Sequence, residues 1–135
     1  MTAQKSNSTG LWVAAGIAIV FGVLTVVAGG RALFGGPEAQ AAVGNVVPFV
    51  LWFNFLSGFV YVLAGVGIGL RKAWGGALAT ALVLAIIMIF ALFGWHVFRG
   101  GAYETRTVGA MVLRAAVWIG IAIYWRGIVT RAGER

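Results

Sequence analysis

The chain's 135 residues are 61% hydrophobic and only 10% charged, whereas a water-soluble domain carries roughly a quarter, so a soluble fold with a polar surface is excluded. A formal charge of +7 would suggest nucleic acid in a soluble protein, but here the basic residues flank apolar runs, where they act as topology signals and contacts to anionic lipid headgroups; no nucleic-acid partner is expected. With no cysteine, disulfides, thiolate catalysis and thiolate metal sites are excluded as well.

Residues 1–10 are polar and small and read as a mobile tail. Residues 11–30 form the first apolar run. It is longer than the core of about 7–15 residues found in secretory signal peptides, and only Lys5 precedes it, so an uncleaved span is expected. The polar connection that follows runs from Arg31 to Asn45. Within it, Pro37 and Glu38 suit the first turn of a helix, where a missing N–H is harmless and an acid favours the positive dipole end; residues 37–43 read as a short interfacial helix. The second span is expected over 46–70, with Pro48 tolerated near its start. Arg71-Lys72 leave only a tight turn before a third span over 73–95. Residues 96–106 form a second loop, and a fourth span over 107–125 leads into a basic tail of Arg126, Arg131, Glu134 and Arg135.

A run of about twenty apolar residues crosses a hydrocarbon core of roughly 30 Å as a helix. The expected fold is therefore all-α, an integral membrane up-down-up-down four-helix bundle in one domain over residues 1–135, with no separate soluble catalytic domain. Lipid tails give helices no hydrophobic reason to associate, so contacts should rely on small residues. Gly65 and Gly69, and Ala116 and Gly120, have the required spacing.

Orientation follows from the Lys and Arg distribution. One side holds Lys5, Arg71, Lys72, Arg126, Arg131 and Arg135; the other holds Arg31, Arg99 and Arg106, offset by Glu38 and Glu104. The positive-inside rule places the richer side, with both termini, in the cytoplasm. Trp12, Trp74, Tyr124 and Trp125 then mark the inner interface, and Trp52 and Trp95 the outer one. The expected location is the cell inner (plasma) membrane.

Arg114 is the main anomaly: a cation about seven residues into the fourth span, roughly 10 Å deep at about 1.5 Å per residue. Such a charge costs on the order of 3 kcal/mol on insertion scales and normally faces the bundle interior with a partner. Asn54 lies at a matching depth on the antiparallel second span, and Ser57 and Tyr61 continue its face at i+3 and i+7. On the fourth span, Tyr103, Thr107, Ala110, Arg114 and Trp118 lie close to one stripe. Two readings stay open: Arg114 serves a ligand, or it snorkels to the headgroups or closes a structural network.

His96, the single histidine, ends the third span. It is either a hydrogen-bonding group beside a ligand or, the reading the sequence favours, an interfacial residue satisfied by water or Glu104. A lone His excludes a bis-histidine haem, and with Glu38 and Glu104 it would make a ligand-poor metal site, so no metal is expected. Arg99, Glu104 and Arg106, together with Arg31, form a basic rim around the outer mouth, and Glu104 also suits the start of the fourth span as a cap.

Three features together resemble the DoxX-like family of small four-helix membrane proteins. These are a first span closing on Ala28-Gly-Gly-Arg31 before a Gly/Pro-containing loop, a second ending at Arg71-Lys72, and a third ending in His96. Arg31 stands where that family's pattern has a lysine followed by an apolar residue. The segment Ala102–Met111 is also similar to a set of uncharacterised bacterial membrane proteins. The resemblance implies a bacterial or archaeal inner-membrane protein, sometimes a subunit of quinone-linked oxidoreductases acting on sulfur compounds.

Three functions are expected from these residues. The first is a non-catalytic accessory or scaffold subunit with membrane-protein partners or further copies of itself. The second is a redox-associated protein holding a quinone-like or lipid ligand in an outer-leaflet pocket lined by Asn54, Tyr61, His96 and Arg114. The third is a small oligomeric anion transporter or channel. No resident cofactor and no catalytic residue is expected, and the chain reads as a non-enzyme.

Overall fold

The computed structural model describes residues 2–44 and 47–133. They form five helices: α1 (Thr2–Phe34), α2 (Gly36–Val43), α3 (Pro48–Gly69), α4 (Ala73–Phe98) and α5 (Thr105–Gly133). Four of these, α1, α3, α4 and α5, contain stretches long and apolar enough to cross a membrane, as in a multi-pass membrane protein. The expected second-span start at Val46, together with Met1, Asn45, Glu134 and Arg135, lies outside the described residues.

Every long helix except α3 extends past its expected span. Residues 2–10, expected as a mobile tail, are helical, and α5 continues through the basic segment to Gly133. An existing helix propagates cheaply, because each added residue brings a hydrogen bond without a new nucleation step. Likewise α4 runs to Phe98 and α5 begins at Thr105, which shortens the second connection to residues 99–104. The short helix expected over 37–43 is present as α2. Arg71 closes the α3–α4 turn with φ 59°. There the Lys72 N–H donates to the Gly67 carbonyl at 2.8 Å, and the Arg71 N–H to Ile68 at 3.0 Å, which ties off the last carbonyls of α3.

The tightest packing joins α1 to α3, which run antiparallel. A Cβ on Gly22 would stand 2.7 Å from the Gly58 carbonyl oxygen, and one on Gly65 would stand 3.0 Å from the Ala15 carbonyl oxygen. Backbone meets backbone here, so glycine is required by space alone. Gly65 and Gly69 thus do pack a helix, as their spacing suggested, and the helix is α1. Ala116 and Gly120 do not: both are exposed, and a Cβ on Gly120 would meet open space. Glycine is so abundant in this chain that spacing alone did not mark the contact-forming pairs.

Two buried layers fill the interior. One joins Leu11, Ala18, Tyr61, Ile68, Leu82, Ile86 and Trp118, and the other Val47, Val50, Phe93 and Met111. α4 packs between α3 and α5, while α5 meets α1 at few points, among them Tyr124 against Gly10 and Arg114 over Phe21. Aromatic residues gather at both ends. Trp12, Trp74 and Trp125 lie against Gly69, Gly67 and Gly76 near the Arg71 turn, while Trp52 meets Phe34 and Trp95 meets Phe98 at the end carrying α2.

The backbone contact gives a paired expectation. Gly22→Ala should lower the thermal unfolding temperature in detergent, by the roughly 1–3 kcal/mol typical of overpacking. Gly120→Ala should leave it unchanged or raise it, by up to about 1 kcal/mol of helix propensity. Equal behaviour of the two variants would contradict the α1–α3 interlock.

Candidate functional site

Where α1 and α5 part, a cleft of about 320 Å³ opens. Thr25, Ala28, Gly29 and Ala32 line it from α1, Leu51 and Asn54 from α3, and Thr107, Ala110 and Arg114 from α5, with Glu104 and Arg106 at the α2 end. Arg114 is nine residues beyond Thr105, roughly 14 Å along the helix. The side walls are small or aliphatic, so the polar character concentrates at the mouth and the floor.

At the floor, aromatic rings stand behind Arg114 without themselves lining the cleft. The Arg114 guanidinium carbon lies 5.9 Å from the centroid of the Phe21 ring. Phe21 stacks on Tyr61 at 5.7 Å and 18°, and Tyr61 tilts against Trp118 at 5.0 Å. Helical spacing explains the stack: Trp118 follows Arg114 by four residues on α5, and Tyr61 follows Asn54 by seven on α3. A cation over a ring in a desolvated setting gains about 2 kcal/mol, which offsets much of the cost of placing Arg114 there.

Hydrogen bonding at the floor is incomplete. Asn54 Oδ1, Tyr61 OH, Arg114 Nε and Trp118 Nε1 are buried without a partner among the described residues. Arg114 and Ser57 are the polar neighbours of the Tyr61 hydroxyl. Ser57 donates instead to the Phe53 carbonyl at 2.5 Å, and Thr25 donates to the Phe21 carbonyl at 2.7 Å. Asn54 and Arg114 thus share the cleft, but Asn54 Oδ1 and Arg114 Nε do not bond each other. Buried polar groups are satisfied in the great majority of cases, so the unpaired Asn54 Oδ1 and Arg114 Nε of two cleft-lining residues stand out.

The other expected residues separate. His96 lies in the last turn of α4 and lines a second cleft of about 580 Å³ with Phe49, Ile89, Leu92, Trp95, Arg99 and Gly101. Its Nε2 is 3.0 Å from the Ala102 carbonyl oxygen, and its ring meets Phe49 edge-on at 6.3 Å. The histidine is thus satisfied by backbone, neither by Glu104 nor within the Arg114 cleft. The outer rim divides in the same way. Arg99 lies over Trp95 at 5.9 Å, and Arg31 lines a hollow of about 200 Å³ under α2. Glu104 and Arg106 remain with Arg114. Arg106 Nη2 donates to the Ala42 carbonyl at 3.4 Å, and the Glu104 carboxylate abuts Gly44, which holds the α2 connection against the start of α5.

Phe21 and Thr25 belong to the site without having been anticipated. Phe21 is one apolar residue in an apolar run and carries no mark of its role, and a threonine bonded to its own helix is common in such spans. Among the described residues, no group of three His, Cys, Asp or Glu side chains is placed to hold a metal ion. The arrangement offers hydrogen-bond donors and positive charge. Comparison with protein-family models, with curated proteins and with solved structures gives no match.

The Tyr61 hydroxyl supplies a direct check. With its donor unpaired, Tyr61→Phe in the ligand-free protein should be neutral or stabilising, by up to about 1–3 kcal/mol, the cost of an unsatisfied buried group. A loss of thermal stability would show that the hydroxyl is bonded after all.

Proposed function

We propose that the chain is an inner-membrane protein that binds an amphipathic ligand by a hydrogen-bond-accepting head. The head sits in the cleft formed by α1, α3 and α5. One observation carries this reading: Arg114 and Asn54 line one cleft with Nε and Oδ1 unpaired above an aromatic floor. A purely structural network would be expected to close those bonds internally. The reading makes the chain a non-enzyme whose ligand is a lipid or a quinone-like molecule, consistent with the DoxX-like resemblance.

In this reading the four long helices cross the membrane as an up-down-up-down bundle with both termini in the cytoplasm. The supporting observation is the basic excess in sequence of Lys5, Arg71, Lys72, Arg126, Arg131 and Arg135 over Arg31, Arg99 and Arg106. The Arg114 cleft then opens in the outer leaflet. Reporters fused after Gly133 and at Arg71-Lys72 should report cytoplasm, and one within Gly36–Val43 should report the outer side. The reverse pattern would place the cleft in the inner leaflet.

A second reading, an accessory subunit docking on α5, has its own support. The span of α5 is the least buried of the four, and Gly109 and Gly120 leave open space on its exposed side. The two readings are compatible, since the cleft and that side occupy different parts of α5.

Retained small molecules decide the primary reading. Protein purified in mild detergent should carry a bound amphiphile recoverable by solvent extraction and mass spectrometry. Arg114→Leu should stay monodisperse, with thermal stability unchanged or raised because a buried charge has been replaced by an apolar group, while the amphiphile is lost. Retention of the same molecules at wild-type levels by Arg114→Leu would overturn the assignment.

A further inference from the structure

The cleft specifies both the charge of its ligand and the route by which the ligand arrives. We infer that it takes a lipid-borne oxyanion, a carboxylate or phosphate head on a long apolar tail, and that this molecule enters sideways through the seam between α1 and α5. The inference rests on the reading of the cleft as a ligand site.

Charge is the first argument. The lining holds two guanidinium groups, Arg106 and Arg114, against the single carboxylate of Glu104. Arg31 lies close by, in the hollow that shares Ala28 and Ala32 with the cleft. A neutral carbonyl head would leave that positive excess unbalanced in a low-dielectric setting, whereas an oxyanion balances it and accepts from the planar guanidinium fork. Of the buried unpaired atoms, only Arg114 Nε and Asn54 Oδ1 belong to residues that line the cleft, and the Arg114 guanidinium can only donate. Tyr61 and Trp118 are both fully buried, at 0% exposure, so they act from behind Arg114.

Size is the second argument. A volume of about 320 Å³ lies at the lower limit of ligand pockets, which span about 300–1,000 Å³. It holds a head and the first few carbons, so a long tail must leave the cleft.

The route is the third. α1 is held to α3 and α5 to α4; α1 and α5 meet where Tyr124 abuts Gly10 and where Arg114 overlies Phe21, and part from there towards the α2 end. Along that seam the α1 wall is Ala28, Gly29 and Ala32, and the facing wall includes Ala110. Ala28 is exposed, and Leu24 and Val27 beside it on α1 also turn outward, so the seam opens onto an apolar exterior. A tail leaving there lies among lipid chains. A free anion pays the same desolvation as a lipid head to reach Arg114, roughly 14 Å along α5 from its start, but has no tail to keep among the lipid chains.

The full chain in dodecyl maltoside should be tested with five probes, by native mass spectrometry and ligand-induced thermal shift. Palmitate and lysophosphatidate carry the oxyanion on a chain, monopalmitoylglycerol carries the chain without charge, inorganic phosphate is the free anion, and decylubiquinone has a neutral carbonyl head. Palmitate or lysophosphatidate should bind, with the other three much weaker. Arg114→Gln should weaken binding by about tenfold or more, the equivalent of one charge-assisted hydrogen bond. Ala28→Phe, which fills the seam, should weaken it comparably, while Ala28→Ser and the outward-facing control Val27→Phe should bind as wild type. Equal binding of monopalmitoylglycerol would overturn the charge assignment, and phosphate binding unaffected by Ala28→Phe would overturn the lateral route. If decylubiquinone alone binds, this inference fails while the ligand-site reading stands. If none of the probes binds, the ligand-site reading fails with it.

Discussion

α1 lies so close to α3 because neither Gly22 nor Gly58 places a side chain between the two backbones. α5, tethered to α4 by the short connection 99–104, stays on the far side of the bundle, and the unfilled angle between α1 and α5 becomes the cleft. The site is therefore a consequence of where the small residues fall. Ala15, Ala18, Gly22 and Gly29 face α3 and draw the helices together, while Ala28 and Ala32, a fraction of a turn away, line the space that remains.

Within that space Arg114 is supported on one side and open on the other. The Phe21 ring receives the cation, and Tyr61 and Trp118 continue the stack behind it. What the fold does not supply is a full set of hydrogen bonds. An unsatisfied buried polar group costs about 1–3 kcal/mol, and two of the four such atoms here, Asn54 Oδ1 and Arg114 Nε, belong to residues that line the cleft. Charge alone does not distinguish a structural arginine from a binding one. Here an aromatic ring supports the guanidinium while its Nε is left without a partner.

Composition made the four long helices legible, since nearly all of the chain's charge sits between or beyond their apolar runs. Their ends were less legible: Thr2 to Gly10 and the residues beyond Trp125 look polar in sequence, yet an established helix carries through them. Counting along the spans also brought Asn54 and Arg114 to one level, and the structure places both on one cleft. Counting gives depth along a helix, not rotation about its axis relative to neighbours still unknown. His96 shows the difference. It sits at the end of α4 that carries the Ala102 turn, but α4 packs between α3 and α5, so its imidazole meets Phe49 and the Ala102 carbonyl and never reaches the α1–α5 seam. Phe21 illustrates the opposite failure. Its depth and face were available, but only the position of Arg114 opposite it gives that ring a role.

Mouth and floor of the cleft carry charge for different purposes. At the mouth, Arg106 reaches the Ala42 carbonyl and Glu104 abuts Gly44, so both side chains are engaged in holding the α2 connection against α5. Glu104 also stands just before the first residue of α5, where the helix dipole favours an acid, so its charge is already balanced locally. These groups shape the entrance and add to its field, but their positions follow from closing a loop. Arg114 has no such local duty. It lies beyond the first two turns of α5, far from either helix end, and among the described residues no carboxylate lines the floor beside it. A charge placed there, with small walls on one side and aromatic rings behind it, is positioned by the packing of α1 on α3.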